Sequence, residues 1–325
     1  MTDDRIKIVR ALREASKIAL FSHGSPDGDG IGSMLAAGAA LTKMHKEVSL
    51  YNSDGVPPNL AFLPDAHRVQ RMDGSIPPAD TFLLLDCAEL ARVNLQASDW
   101  PSETVVINID HHISNNSFGD LNWVDAQAAA TGELVYQLIR DLGLQLDEVM
   151  ATNLYTAVVT DTGGFLYSNT TPQSHYLAAE LMELIDVADI NTQLFAQQPL
   201  AYIKLLQKAL SSLEIMANHQ LAVMTLRWQD FLDCGAEESL SEGIVNYARD
   251  IAGVEVGILV RETQNGEVKI GFRAKSWLNV NEVAAQLRGG GHKRAAGCAL
   301  DVTLPEARAM AVSLLREALD VGRVY

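Results

Sequence analysis

The chain has 325 residues, enough for two domains at roughly 100 to 200 residues each, and its 25 Lys and Arg against 41 Asp and Glu give a net charge of −16. That charge repels a long polyphosphate and excludes a duplex-DNA clamp built on basic patches. Hydrophobic residues at 48% and charged residues at 20% mark a folded globular protein, not a disordered one.

Residues 3–16 place Ile6, Val9 and Leu12 at helical spacing, and KIALFS (17–22) reads as a short buried strand. A loop, HGSPDGDG (23–30), leads into the Ala-, Leu- and Met-rich stretch 31–46, which favours helix, and EVSLY (47–51) is the next strand candidate. Further strands are expected at 81–86 and 104–110, and helices at 131–143 and through 153–163. This alternation predicts an α/β fold, a parallel sheet with helices on both faces. The helical stretch 190–215, interrupted by Pro199, reads as a connector. Strands are then expected at 219–228, 254–262 and 268–274, helices at 238–252 and 304–320, and Asn265-Gly266-Glu267 is a hairpin signal. The predicted organisation is therefore an α/β domain over 1–185, a helical connector over 186–212 and a smaller α/β domain over 213–325.

The cysteines, Cys87, Cys234 and Cys298, form no C-x-x-C pair, which argues against a disulfide framework or a thiolate zinc site and fits a reducing cytoplasm. The N-terminus lacks the apolar core of a signal peptide, and no run of about 18 apolar residues occurs, so no membrane attachment is expected.

Acidic and histidine residues cluster at the ends of the predicted strands, where open parallel sheets bind ligands. The first loop supplies His23, Asp27 and Asp29; the third predicted strand ends in Asp86; the fourth ends in Asp110, His111 and His112; the helix through 153–163 carries Asp161. Singly, each Asp reads as a turn or helix cap. Jointly they put several carboxylates in one place, which repel unless cations lie among them. Carboxylates and imidazoles without thiolate suit Mn²⁺ best, with Mg²⁺, Fe²⁺ and Co²⁺ as alternatives. Two such ions would activate one water and clamp an in-line displacement at phosphorus, which points to phosphoester hydrolysis. Gly28, Gly30 and Gly32 fall as G-x-G-x-G, not as the G-x-G-x-x-G of a dinucleotide-binding turn, and neither a P-loop nor a G-x-S-x-G elbow occurs.

The segments HGSPDGDGIGS, LLLDCAE, NIDHHISN and VVTDTGGF, in that order, resemble the motifs of the DHH phosphoesterase family. The later RAKSWLNVNEVAAQLRGGGHKRAAG resembles its DHH-associated C-terminal domain. A two-domain chain of this length is similar to the nanoRNase and pAp phosphatase branch, not to the longer RecJ exonucleases. The resemblance implies that His23, Asp27 and Asp86 hold one metal and Asp29, Asp86, His111 and Asp161 the other, with Asp86 bridging and a shared water as nucleophile. It further implies that Asp110 orients His111 and that His112 faces the scissile phosphate. Gly289, Gly290, Gly291 and His292, with Arg273 and Lys275, would grip the substrate's terminal phosphate or base, and Arg92 and Asn115 are weaker candidates for that role. Two departures bear on substrate preference: Arg273-Ala274-Lys275 stands where relatives often read Arg-Ser-Lys, and Arg288 where they often have a fourth glycine.

The expected function is Mn²⁺-dependent hydrolysis of short oligoribonucleotides and pAp, with small nucleotides as partners, no long duplex, and a homodimer left open. Alternatives are a cyclic-di-AMP or pApA phosphodiesterase, a pyrophosphatase, against which the GGGH segment speaks, and a non-catalytic nucleotide sensor.

Overall fold

The computed structural model describes residues 3–72, 78–93, 101 and 103–321. The chain divides into two compact units, Met1–Gln197 and Gln198–Tyr325.

The first unit contains, in order, α1 (Asp3–Glu14), β1 (Lys17–Ser22), α2 (Gly28–Lys43), β2 (Glu47–Asn52), β3 (Val69–Arg71), β4 (Thr81–Leu85), β5 (Val105–Asp110), β6 (Leu121–Val124), α3 (Thr131–Asp141), α4 (Glu148–Asp161), α5 (Pro172–Met182) and α6 (Val187–Phe195). Its strands pair in parallel in the order β3-β2-β1-β4-β5-β6. The chain runs outward from β1 to β3, then returns to lay β4 on the other side of β1. The direction thus reverses between β1 and β4, and such a switch point opens a crevice at the strands' carboxyl ends.

Central strands buried on both faces need continuous apolar runs, and Ile18 to Phe21 and Phe82 to Leu85 are each at most 1% exposed. Ile18, Leu20, Leu83, Leu85, Ile107 and Ile109 face a core shared with α1 to α5. The helix cover expected on the opposite face is replaced, among the described residues, by a shallower one. There Ala19, Phe21, Phe82, Leu84 and Val106 meet Tyr51, Phe118 and the short 3-10 turn Leu90–Val93. Phe21 lies against Tyr51 and edge-on to Phe82, with ring centroids 5.7 and 5.1 Å apart, so large aromatic rings fill that face without a helix. In α1 the apolar stripe is Ile8, Val9 and Leu12; Ile6, expected on it, points outward and is 51% exposed.

Gly28 and Gly30, read as part of the first loop, prove to belong to α2. A Cβ on Gly28 would fall 2.3 Å from Thr160 Oγ1, and one on Gly32 only 2.4 Å from the Asn153 carbonyl. Glycine at these i, i+4 positions therefore lets α2 lie directly on α4.

The second unit contains α7 (Leu200–Ser211), β7 (Glu214–Met216), β8 (Leu221–Leu226), α8 (Trp228–Cys234), α9 (Ile244–Arg249), β9 (Val256–Glu262), β10 (Val268–Ala274), α10 (Val280–Gln286), β11 (Gly290–Gly291), β12 (Ala295–Leu300) and α11 (Leu304–Val321). Its sheet runs β11-β12-β10-β9-β8-β7, antiparallel except for the parallel pair β8/β9. The stretch read as one connector is two helices, α6 and α7, one in each unit, with Pro199 as the N-cap of α7. β10 alternates as a half-buried strand should: Val268, Ile270, Phe272 and Ala274 pack in one core with Ala307, Ala311 and Leu315 of α11, leaving Arg273 on the other face.

Candidate active site and metal centre

Three neighbouring strands end at one place. His23 follows β1, Asp86 follows β4, and Asp110 closes β5, with exposures of 4%, 2% and 0%. Asp86 adopts φ 59°, the left-handed region that Asp tolerates better than most side chains, a strain typical of functional positions.

After His23 the loop turns into α2, whose N-cap is Asp27: its Oδ1 accepts from the N–H groups of Asp29 and Gly30 at 3.1 and 3.0 Å. Asp29, 1% exposed, caps a different helix. It accepts from the N–H of Thr131 (2.7 Å) and of Gly132 (2.9 Å) at the start of α3, and from Ser33 Oγ (3.1 Å). Ala130, the N-cap of α3, offers no side-chain acceptor, so Asp29 completes that helix end from the neighbouring helix α2.

His23 Nε2 lies 3.3 Å from Asp86 Oδ2 and 3.7 Å from Asp27 Oδ1. His111 Nε2 lies 3.6 Å from Asp161 Oδ2, 3.7 Å from Asp86 Oδ1 and 3.8 Å from Asp29 Oδ2. His23-Asp27-Asp86 and Asp29-His111-Asp161 each bring their ligand-type atoms within 4.8 Å of one another, as does Asp86-His111-His112. Asp86 faces all three histidines, His112 Nδ1 lying 3.6 Å from its Oδ1.

The donor set fits divalent ions. His23 Nδ1 donates to the Gly24 carbonyl at 2.8 Å, and His111 Nδ1 to that of Ala128 at 3.3 Å; a carbonyl carries no proton, so each contact puts the N–H on Nδ1. Both Nε2 lone pairs then face carboxylate oxygens, an arrangement only a proton or a metal cation reconciles. At Gly30 a Cβ would stand 3.4 Å from both Asp86 Oδ2 and His23 Nε2, so glycine keeps the space between them clear. The oxygen and imidazole donors suit Mn²⁺ or Mg²⁺.

With protein groups alone, the charges are poorly balanced. Burial, then Asp86, Asp161 and Asp27, raise the Asp29 carboxyl well above its usual range. Burial, against the pull of His111 and with Asp86 and Asp27 adding to it, takes Asp161 up to about 6. Burial opposes charge on His23, but hydrogen bonds to Asp27 and Asp86 outweigh it and carry the imidazole up to about 10; the same pairing holds Asp27 down to about 2. A chelator-stripped protein should show this as pH-dependent stability. Asp161 and Asp29, raised from 3.8, favour folding at low pH and lose that contribution as pH rises through their folded values. His23, raised from 6.5, loses its contribution as pH climbs toward about 10, whereas that of Asp27 is already complete above 3.8. The unfolding temperature of the stripped protein should therefore fall between about pH 5 and about pH 9, and added Mn²⁺ should restore more at the alkaline end. Differential scanning calorimetry checks this; a rise with pH in the stripped protein would contradict it.

Some expected roles change. Asp110 was expected to orient His111, but its Oδ1 accepts from His112 Nδ1 at 2.7 Å and reaches His111 only through the backbone N–H at 2.8 Å. The His111 ring is set by the Ala128 carbonyl instead. Burial opposes charge on both Asp110 and His112, yet their hydrogen bond lowers the Asp110 carboxyl and raises the His112 imidazole. Asn115, a candidate for touching substrate, lies against Asp110: its Nδ2 is 2.6 Å from Asp110 Oδ2, 2.8 Å from Asn108 Oδ1 and 3.1 Å from the Cys87 carbonyl. Arg92 lies beside the cluster, Nη2 3.2 Å from His23 Nδ1; with the Nδ1 proton directed at the nearer Gly24 carbonyl, this contact is an adjacent charge and not a hydrogen bond. The supporting groups Thr131, Gly132, Ala128 and Asn169 carried no signal in the sequence, since backbone N–H and C=O groups and a lone loop amide have no spacing pattern.

In the second unit, Gly289 to His292 form the first arm of a tight hairpin. Gly290 and Gly291 pair with Gly297 and Ala296, and the His292 N–H donates to Ala295 O at 2.7 Å. A Cβ on Gly289 would lie 2.2 Å from the Gly297 carbonyl, which explains glycine there. Arg273 pairs across the sheet with Ala295, at the base of the same turn, so the structure brings Arg273 and the GGGH segment to one end of the sheet. Lys275 donates its Nζ to the Ile251 carbonyl at 2.9 Å. Arg288 sits at φ 58°, a left-handed conformation that glycine would adopt without strain.

Residues 17–160 match the DHH family, N-terminal domain, and residues 218–320 match the DHHA1 domain. The bifunctional oligoribonuclease and PAP phosphatase NrnA of Thermus thermophilus is 34% identical over 320 residues, covering 97% of this chain and 95% of that protein. The crystal structure of an exopolyphosphatase-related protein from Bacteroides fragilis superposes with a TM-score of 0.91 at 27% identity, covering 98% of each chain. RecJ of Thermus thermophilus, crystallised with Mn²⁺, shares the fold with a TM-score of 0.51 at 15% identity over 99% of this chain and 54% of its own. With motifs, fold and a full-length relative in agreement, this chain belongs to the DHH family.

Proposed function

We propose that the protein is a metal-dependent phosphoesterase that hydrolyses short oligoribonucleotides to mononucleotides and converts pAp to AMP. The observation that carries this reading is Asp86, shared between two ligand groups at the switch point of a parallel sheet. The name of the Thermus relative supports the substrate class.

His23, Asp27 and Asp86 would hold one divalent ion and Asp29, Asp86, His111 and Asp161 a second, Mn²⁺ being the best match to the donors. When bound, such a pair supplies positive charge at the scissile phosphate and a water acidic enough to attack at neutral pH. Asp110 keeps the His112 ring in place, and His112 holds its proton to higher pH than a free imidazole, putting positive charge beside the substrate's phosphate. Hydrolysis adds water across the P–O bond: the phosphorus keeps the new oxygen, and the departing ribose hydroxyl takes up a proton. Arg273, Lys275, the Gly289–Gly291 backbone and His292 would bind the substrate's terminal phosphate or base, with Arg92 adding charge at the metal cluster. A substrate with few phosphates suits a chain of net charge −16, because it requires no basic groove. No helix among the described residues is long and apolar enough to cross a membrane. The cysteines, none in a C-x-x-C pair, suit a reducing compartment, and on that ground we place the protein in the cytoplasm.

Incubating the purified protein and Mn²⁺ with pAp, pApA, RNA dimers to pentamers and cyclic di-AMP tests this. Turnover of pAp and the linear RNAs is expected. Turnover of the cyclic compound alone would reassign the substrate, and nucleotide binding with no hydrolysis would make the protein a sensor.

A further inference from the structure

Asn169 lies between α4 and α5 and aims its side-chain nitrogen at three oxygens: the Ala129 carbonyl at 3.0 Å, the Asp161 carbonyl at 3.1 Å and Asp161 Oδ2 at 3.4 Å. All three are acceptors, so the amide nitrogen must face them; the flipped amide would set oxygen against oxygen. Its Oδ1 is left buried without a hydrogen-bond partner among the described residues. An unpaired buried amide oxygen is destabilising, so packing alone does not explain an asparagine here.

The contacted oxygens belong to two segments that carry ligand-type groups. One is Asp161 itself. The other is the turn at Ala128 and Ala129, where the Ala128 carbonyl accepts from His111 Nδ1 at 3.3 Å. A single amide thus ties Asp161 to the backbone that sets His111, and the facing atoms of those two residues are 3.6 Å apart. The loop is itself pinned: Thr171 and Ser174 form a capping box, Ser174 Oγ donates to Glu133 Oε1 at 2.7 Å, and the Ala129 N–H donates to Glu133 Oε2 at 3.3 Å.

We infer that Asn169 is a positioning residue which holds Asp161 and His111 in register, so that the Asp29-His111-Asp161 group takes its divalent cation at full affinity. It makes no such contact with His23, Asp27 or Asp86, and its effect is confined to one of the two ligand groups. This inference rests on the reading that both groups bind metal.

The test is a Mn²⁺ titration of the chelator-stripped, full-length protein by calorimetry, with bound ions counted by electron paramagnetic resonance and unfolding of the stripped forms followed in parallel. Wild type should bind two ions. Asn169→Ala should bind one at wild-type affinity and the other about 10- to 100-fold more weakly. Asn169→Asp, which sets a carboxylate against Asp161, should weaken the same ion further. If both variants bind both ions as wild type does, or lose affinity equally at the two, with or without a lower unfolding temperature, the inference is overturned. A wild-type protein that binds no Mn²⁺ would instead overturn the metal reading beneath it.

Discussion

Replacing Asp86 by Asn should lower turnover by about a thousandfold or more while changing the stability of the stripped protein little. The amide has the same shape, tolerates φ 59° as well as Asp does, and can still accept from Thr131 Oγ1 at 3.1 Å. What it lacks is the charge that all three histidines face. An ion held by one carboxylate fewer, in both groups at once, forfeits several kcal/mol of transition-state stabilisation, and each 1.36 kcal/mol is about tenfold in rate. Stability should move little because two effects oppose: removing the charge relieves the carboxyls of Asp29 and Asp161, which Asp86 helps to push up, and it weakens the pairing that keeps His23 protonated. Steady-state kinetics with pAp, beside thermal unfolding in chelator, checks both halves. Activity within tenfold of wild type would sink the shared-ligand role.

Gly32→Ala should be strongly destabilising. Its Cβ would lie 2.4 Å from the Asn153 carbonyl, 3.1 Å from the Ala157 nitrogen and 3.2 Å from Ala157 Cβ. Two of these are backbone atoms of α4, which cannot rotate aside as a side chain can. The helices must separate, at about 1 to 3 kcal/mol or more, which outweighs the gain of up to about 1 kcal/mol from Ala over Gly in a helix. α2 carries Asp29 and α4 ends in Asp161, so Mn²⁺ affinity should fall with stability. Urea unfolding of the stripped variant measures the first effect; a variant as stable as wild type would mean that α2 and α4 do not pack as described.

Much of the first unit was legible because its central strands are short, mostly apolar runs that lead into a histidine or an acid. A buried parallel strand must be written that way, and its carboxyl end is where polar groups can face a crevice. β3 and β6 escaped notice as short edge strands, and β12, built from Ala, Gly and Cys, has none of the β-branched residues that mark a strand. The ligand-type residues could be read as a set because their order along the chain is diagnostic. Their supports could not: that Asn115 serves Asp110, that Asp110 serves His112, and that Asp29 caps α3 depend on contacts between segments far apart in sequence. Gly28 and Gly32 were rightly separated from a dinucleotide turn, but their actual task, close helix packing, appears only once α4 is in place.

The central claim is that two ions share Asp86, and anomalous diffraction from crystals grown with Mn²⁺ tests it most directly. Two peaks about 3.5 to 4 Å apart are expected, one touching His23, Asp27 and Asp86, the other Asp29, Asp86, His111 and Asp161. An absence of peaks at these side chains, or a single peak that leaves Asp86 uncoordinated, would contradict it.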